Sequence, residues 1–160
     1  MARMHTILDK EFPLEALPAD APESACGLLG FWSDHARADA LPTRDDFNAQ
    51  HLAPWIEDLS IYDYHPDIDD YQLMLEGENL VALTGEVWRG AFARELDSHF
   101  STNLHAAMSV ARTTEHPKLD MLRILDADWH RWVRLVLPVL RKNKGEKDVF
   151  QVFLAVFQMP

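Results

Sequence analysis

The 160 residues suffice for one domain with a real core and are too few for two of ordinary size. A hydrophobic content of 48% with five tryptophans describes a packed globule rather than a disordered segment. A formal net charge of −11 argues against nucleic acids and anionic membranes as partners, because both require basic patches.

Residues 1–22 carry Pro13 and Pro18 and are expected to be a loosely ordered lead-in with one short helix, followed by a single domain over 23–160. Met1 to Phe12 lacks the apolar run of a signal peptide. Val133 to Leu140 and Val149 to Phe157 are too short or too interrupted to cross a bilayer as helices, so a cytoplasmic location is expected. The single cysteine, Cys26, excludes an internal disulfide and a Cys-rich metal site, and its apolar helical setting predicts buried packing.

The first helix is predicted over Ser24 to Ala40, with Leu28, Leu29, Trp32 and Ala36 as an apolar stripe opposite Ser33, Asp34 and Arg37. Asn48 is a plausible N-cap for a short turn through Leu52, and Pro54 starts another. Leu59, Ile61, Tyr62 and Tyr64 then form one strand and Tyr71, Leu73 and Leu75 a second, joined as a hairpin by His65 to Asp70.

Three of the six glycines punctuate the next stretch, at Gly77, Gly85 and Gly90. The apolar pieces between them are too short for ordinary core helices, which predicts one-turn helical segments laid across a sheet. Ser98 is the expected cap of a central helix carrying Phe100, Leu104, Met108 and Ala111, stopped by Pro117. Three strands follow: Leu119 to Leu125, Trp132 to Leu140 and Val149 to Phe157, with turns at Asp126 to Asp128 and around Gly145. The last is apolar on both faces and belongs in the middle of a sheet covered on both sides. Two hairpin-forming groups flanking a helical crossover give an α+β fold with one five-stranded antiparallel sheet. The short helices cover one face, and the N-terminal helix covers the other or meets a partner subunit.

Several motifs resemble a known family. Gly77 to Asp97 looks like the "G-x-x-L-x-x-L-x-G-x-x-x-x-G" run of proteobacterial PAS-type sensor domains. Leu41-Pro42-Thr43-Arg44-Asp45-Asp46-Phe47 is similar to the "L-P-[ST]-R-x-D-F" motif of a stand-alone PAS family common in alphaproteobacteria. Leu59 to Tyr64 is similar to that family's first strand, and Arg134 to Val139 to its "R-L-x-L-P-L" strand. The resemblance spans about residues 25 to 157 and departs from the family between Arg94 and Pro117 and at Trp129 to Trp132. It implies a PAS-like fold and a sensor or interaction module in signal transduction, with no output domain.

No nucleophile, metal or phosphate-loop motif is present, so catalysis is not expected. No cysteine stands in the asparagine-flanked setting of flavin-binding PAS relatives, which argues against flavin. His99 and His105 lie on the central helix, where haem-binding PAS proteins place their axial histidine. Local hydrogen bonding is the favoured role for His105, with haem the alternative. Asp126, Asp128 and His130, like Asp67, Asp69 and Asp70, are better explained as turn residues than as cation ligands.

The candidate ligand-binding residues are Trp88, Phe92, His105, Met108, Met121 and Arg134, with plain core packing the competing role for the apolar ones. Arg134, on the strand face opposite Val133 and Leu135, requires a carboxylate or an anionic ligand if that face is buried. An internal carboxylate is the favoured partner. Leu28, Leu29 and Trp32 are the candidate surface for a homodimer or protein partner. The two function classes carried forward are a metabolite-binding sensor and a ligand-free interaction module.

Overall fold

The computed structural model describes residues 7–125 and 129–160. Its centre is one six-stranded, wholly antiparallel sheet. In chain order the strands are β1 (Ile7–Leu14), β2 (Leu59–His65), β3 (Asp70–Leu75), β4 (Lys118–Leu125), β5 (Trp129–Arg141) and β6 (Val149–Gln158). In space they run β1-β4-β5-β6-β2-β3. Five of the six coincide with the strands expected from alternation. The sixth, β1, corrects the expectation of a loose lead-in: Ile7–Leu14 pairs along β4 as an edge strand. An edge position tolerates Pro13, which has no N–H to give a ladder. The turn expected at Asp126 to Asp128 lies outside the described residues.

Side-chain alternation divides the core into two. Val133, Leu135, Leu137 and Val139 of β5 point to one face together with Phe153, Ala155 and Phe157 of β6. Val136, Val152 and Leu154 point to the other, with Tyr62, Tyr71 and Leu73. β6 is therefore apolar on both sides, and it lies between β5 and β2 as such a strand should.

The first face is covered by α1 (Glu23–His35), whose Ala25, Leu28 and Trp32 are buried at helical spacing. The Trp32 indole donates from Nε1 to the Pro138 carbonyl at 2.8 Å. Leu28 and Trp32, expected as a partner surface, are core residues of this chain, and Leu29 is half-buried against the same cluster. Cys26, expected buried, is exposed, because the stripe of 25, 28 and 32 leaves position 26 on the helix's outer flank. Beyond α1, Thr43 donates its N–H to Asp46 Oδ2 at 2.8 Å, and the resulting turn seats Phe47 edge-on against Phe153 at 5.1 Å. The Leu-Pro-Thr-Arg-Asp-Asp-Phe segment is thus a plug for this face, tied to β5 by Arg44 N–H to Leu140 O at 2.9 Å. A short α2 (Ala49–Leu52), capped by Asn48 Oδ1, and a 3₁₀ turn at Ala53–Trp55 complete the cover.

The opposite face carries three short helices: α3 (Glu78–Thr84), α4 (Ala93–Phe100) and α5 (Leu104–Thr114). The single central helix expected from Ser98 onward is two helices. Ser101 turns left-handed at φ 56°, and Asp97 caps the restart, accepting from the N–H groups of Leu104 at 2.6 Å and His105 at 3.0 Å. The Ser-Thr-Asn run at 101–103 supplies such chain-breaking chemistry. Ala93, Ala107, Met108 and Ala111 pack on Tyr71, Leu73 and Val152. Among the described residues, no helix is long and apolar enough to cross a membrane.

Candidate functional site

Gly77 fixes how the chain leaves the sheet. Its φ of −67° is ordinary, but an added Cβ would stand 2.8 Å from the Leu59 carbonyl oxygen and 2.9 Å from that of Glu57. Only glycine allows this approach, and its N–H is received by the buried Ser60 hydroxyl at 3.0 Å. α3 begins there and ends in a left-handed cap at Gly85, φ 73°. Among its seven residues none is fully buried. The chain then runs back along β3, with Gly90 N–H to Leu73 O at 2.7 Å and Leu73 N–H to Ala91 O at 2.9 Å, which covers part of that sheet edge.

Between this broken-helix cover and the sheet lies a cavity of about 100 Å³. Its floor is Tyr62, Leu73, Leu122, Leu154 and Val156 of four strands. Its roof is Leu80, Leu83 and Thr84 of α3, then Trp88, Leu96 and Phe100, with Thr102 and Leu104 from the α4–α5 junction. Glu76 and Arg134 also line it. The wall is almost entirely hydrocarbon and aromatic carbon.

Trp88 is held rigidly. Its N–H donates to Glu76 Oε1 at 2.9 Å and its indole Nε1 to Glu86 Oε2 at 2.8 Å, and its ring lies 4.7 Å from that of His99. Arg134 is 2% exposed and forms the charged end of the site. Its guanidinium contacts Glu11 Oε1 at 3.1 Å and Asp120 Oδ2 at 2.9 Å, while Lys118 Nζ reaches the other Asp120 oxygen at 2.5 Å. Two cations therefore meet two carboxylates, so Arg134 has the internal partners that the sequence reading favoured. Glu11 also accepts from the Asn103 N–H at 3.4 Å, which ties β1 to the roof.

Tyr62 is 1% exposed, and no described group hydrogen-bonds its hydroxyl. Burial pushes its phenol far above the ordinary 10, the nearby Glu76 and Asp97 carboxylates push it further, and Arg134 opposes them. It is a neutral hydroxyl at any working pH.

Of the six candidate ligand residues, Trp88 and Arg134 line the cavity and four lie elsewhere. Met108 is fully buried in the helix–sheet packing beside it. Met121 sits against the other core, on the α1 side of the sheet. Phe92 stacks edge-on with His65 at 5.5 Å. His105 hydrogen-bonds the Asp69 carbonyl through Nε2 at 2.7 Å and meets Tyr71 edge-on, so it is engaged at the hairpin turn and not in the cavity. That turn is also more than a solvated loop. Asp70 is buried, and Asp69 accepts from Tyr64 Oη at 2.9 Å and pairs with Arg94 and Arg112 at 3.5 and 3.8 Å.

Tyr62, not among the six candidates, is a cavity residue. Strand parity marks it, because Tyr62 falls on the face opposite Leu59 and Ile61. Among the described residues, no group of three or more histidine, cysteine or acidic side chains could hold a metal ion. Comparison with protein-family models, curated proteins and solved structures gives no match.

Proposed function

We propose that this chain is a PAS-type sensor or regulatory domain in signal transduction, which holds a small apolar molecule in the cavity beneath α3. The observation that carries this reading is the cavity of about 100 Å³, walled almost entirely by hydrocarbon, between the sheet and its broken-helix cover. An engineered apolar cavity of about 150 Å³ in another protein binds benzene or xenon, so a space of this order is large enough to be occupied. The two-strand and three-strand groups flanking a helical crossover support the reading, as does the resemblance of the glycine-spaced segment to PAS domains. Occupancy would act by shifting the population of the roof, whose α3 has no fully buried residue to hold it in one place.

Methyl NMR under xenon pressure tests this directly. Xenon should shift the methyls of Leu80, Leu83, Leu96, Leu122 and Leu154 while leaving Leu28 and Leu52, across the sheet, unmoved. Unmoved cavity methyls at several atmospheres would favour the alternative, a ligand-free interaction module.

A further inference from the structure

Across the sheet from the cavity, two histidines in the cover of the α1 face present ring nitrogens that no described group engages. His35 closes α1, and its Nδ1 lies 2.8 Å from the Phe31 carbonyl oxygen. His51, in α2, places its Nδ1 2.8 Å from the Asp46 carbonyl oxygen. A carbonyl only accepts, so each ring must carry a proton on Nδ1, and in the neutral imidazole Nε2 is then a bare lone pair. Among the described residues, no group bonds either Nε2. His65, His99 and His105 differ, because their Nε2 atoms meet Gln72 Oε1, Glu86 Oε2 and the Asp69 carbonyl.

Metal-ligating histidines are held in this way, with the far N–H given to a carbonyl that fixes the tautomer and the ring direction. The two ring centroids stand 6.5 Å apart. With metal–nitrogen bonds of about 2.1 Å, two imidazoles on one ion have centroids from about 5.2 Å apart at a tetrahedral angle to about 6.4 Å in line. The observed spacing is at the outer end of that range, and a shift of about 1 Å by the exposed His51 ring reaches the tetrahedral value. The supports are in place beforehand. His51 N–H donates to Asn48 Oδ1 at 2.9 Å, and Phe31 packs against both rings, 4.2 Å from His35 and 5.8 Å from His51. His35 also stands at the carbonyl end of a thirteen-residue helix, where aligned backbone dipoles favour a cation.

We propose that His35 and His51 bind a borderline divalent cation, Zn²⁺ or Cu²⁺, through their two Nε2 atoms, with water in the remaining positions. Imidazole suits these ions, whereas Ca²⁺ and Mg²⁺ take oxygen ligands. Two protein ligands are fewer than the groups of three considered above, so the ion keeps open positions and exchanges with solution. A bound ion clasps the end of α1 to α2 and so locks the cover of this face. The site stands or falls independently of the cavity reading.

The test titrates Zn²⁺, with Ca²⁺ as the control, into the untagged full chain and its His35→Gln, His51→Gln and doubly substituted variants. Imidazole nitrogen NMR reads which atom takes the ion, and calorimetry gives the dissociation constant. In the parent chain Zn²⁺ should shift Nε2 of both rings and leave both Nδ1 atoms protonated, while Ca²⁺ shifts neither. Each single variant should bind Zn²⁺ about tenfold or more weakly, because the second ligand acts at the high effective concentration set by the first. The parent should melt higher in Zn²⁺ than in a chelator, and the double variant should not. A single variant that keeps the parent's affinity, or Zn²⁺ shifts confined to other histidines, would overturn the pairing. Equal melting of parent and variants in the chelator shows that the substitutions leave the fold intact.

Discussion

The two faces of the sheet use the same strands and reach opposite outcomes. On the α1 face, one thirteen-residue helix lays Ala25, Leu28 and Trp32 onto β5 and β6. Aromatic rings then close the remaining space, with Phe31 5.0 Å from Phe47 and 5.8 Å from Trp55. On the other face, three helices of seven, eight and eleven residues are each separately capped. Alanines at 93, 107 and 111 let α4 and α5 approach Tyr71 and Leu73 closely, whereas α3 roofs a space its own half-buried side chains do not fill. A long amphipathic helix can adjust its rotation and height to close-pack a sheet. A cover divided by Gly77, Gly85, Gly90 and Ser101 takes its position from caps and ties such as Asp69–Arg94, so its fit to the sheet is not set by packing alone.

The largest expected effect breaks the charged end of the open face. Arg134→Ala removes the cation between Glu11 and Asp120, both mostly buried, and should cost about 3 to 5 kcal/mol in urea denaturation. A loss below about 1 kcal/mol would mean that the carboxylates find water and that this end is open to solvent.

The next effect opposes the two faces directly. Leu28→Phe adds volume to a site with no exposure and should destabilise by about 1 to 3 kcal/mol. Leu122→Phe adds the same atoms at the cavity wall, so it should be neutral or stabilise by up to about 1 kcal/mol while abolishing the xenon shifts. Equal losses at the two positions would show that the faces are packed alike.

The sheet was legible in the sequence because alternation is local: Val133, Leu135, Leu137 and Val139 declare one face without reference to anything else. β1 was not legible, since the reason for its pairing is the remote Arg134, to which Glu11 is joined across 123 positions. The split of the central helix was half legible. Ser101, Thr102 and Asn103 carry the chemistry, but Asp97 as the cap of the following helix is a tertiary fact. The site fared worse than the fold. Trp88 and Arg134 stand out by type, whereas leucines at 73, 80, 83, 96, 122 and 154 line a cavity only because of what fails to pack against them. No local pattern distinguishes them from core.

The smallest effect concerns how dry the open face is. With its folded phenol held above the ordinary 10, Tyr62 leaves stability untouched below pH 10, where both states keep the proton. As the pH rises past 10 the unfolded chain ionises and the folded one does not, so stability falls by about 1.4 kcal/mol per unit until the folded value is passed. Tyr64, raised mainly by partial burial and then by its bond to Asp69, titrates in the same direction, so wild type alone cannot isolate Tyr62. The difference between wild type and Tyr62→Phe does. At pH 7 the variant should lie within about 1 kcal/mol of wild type, since it loses no hydrogen bond. Above pH 10 its stability should fall less steeply, as followed by denaturation at a series of pH values. Parallel curves would mean that the hydroxyl ionises in the folded state, with water reaching it through the α3 roof, and the contrast between a filled face and a face with an apolar cavity would not stand.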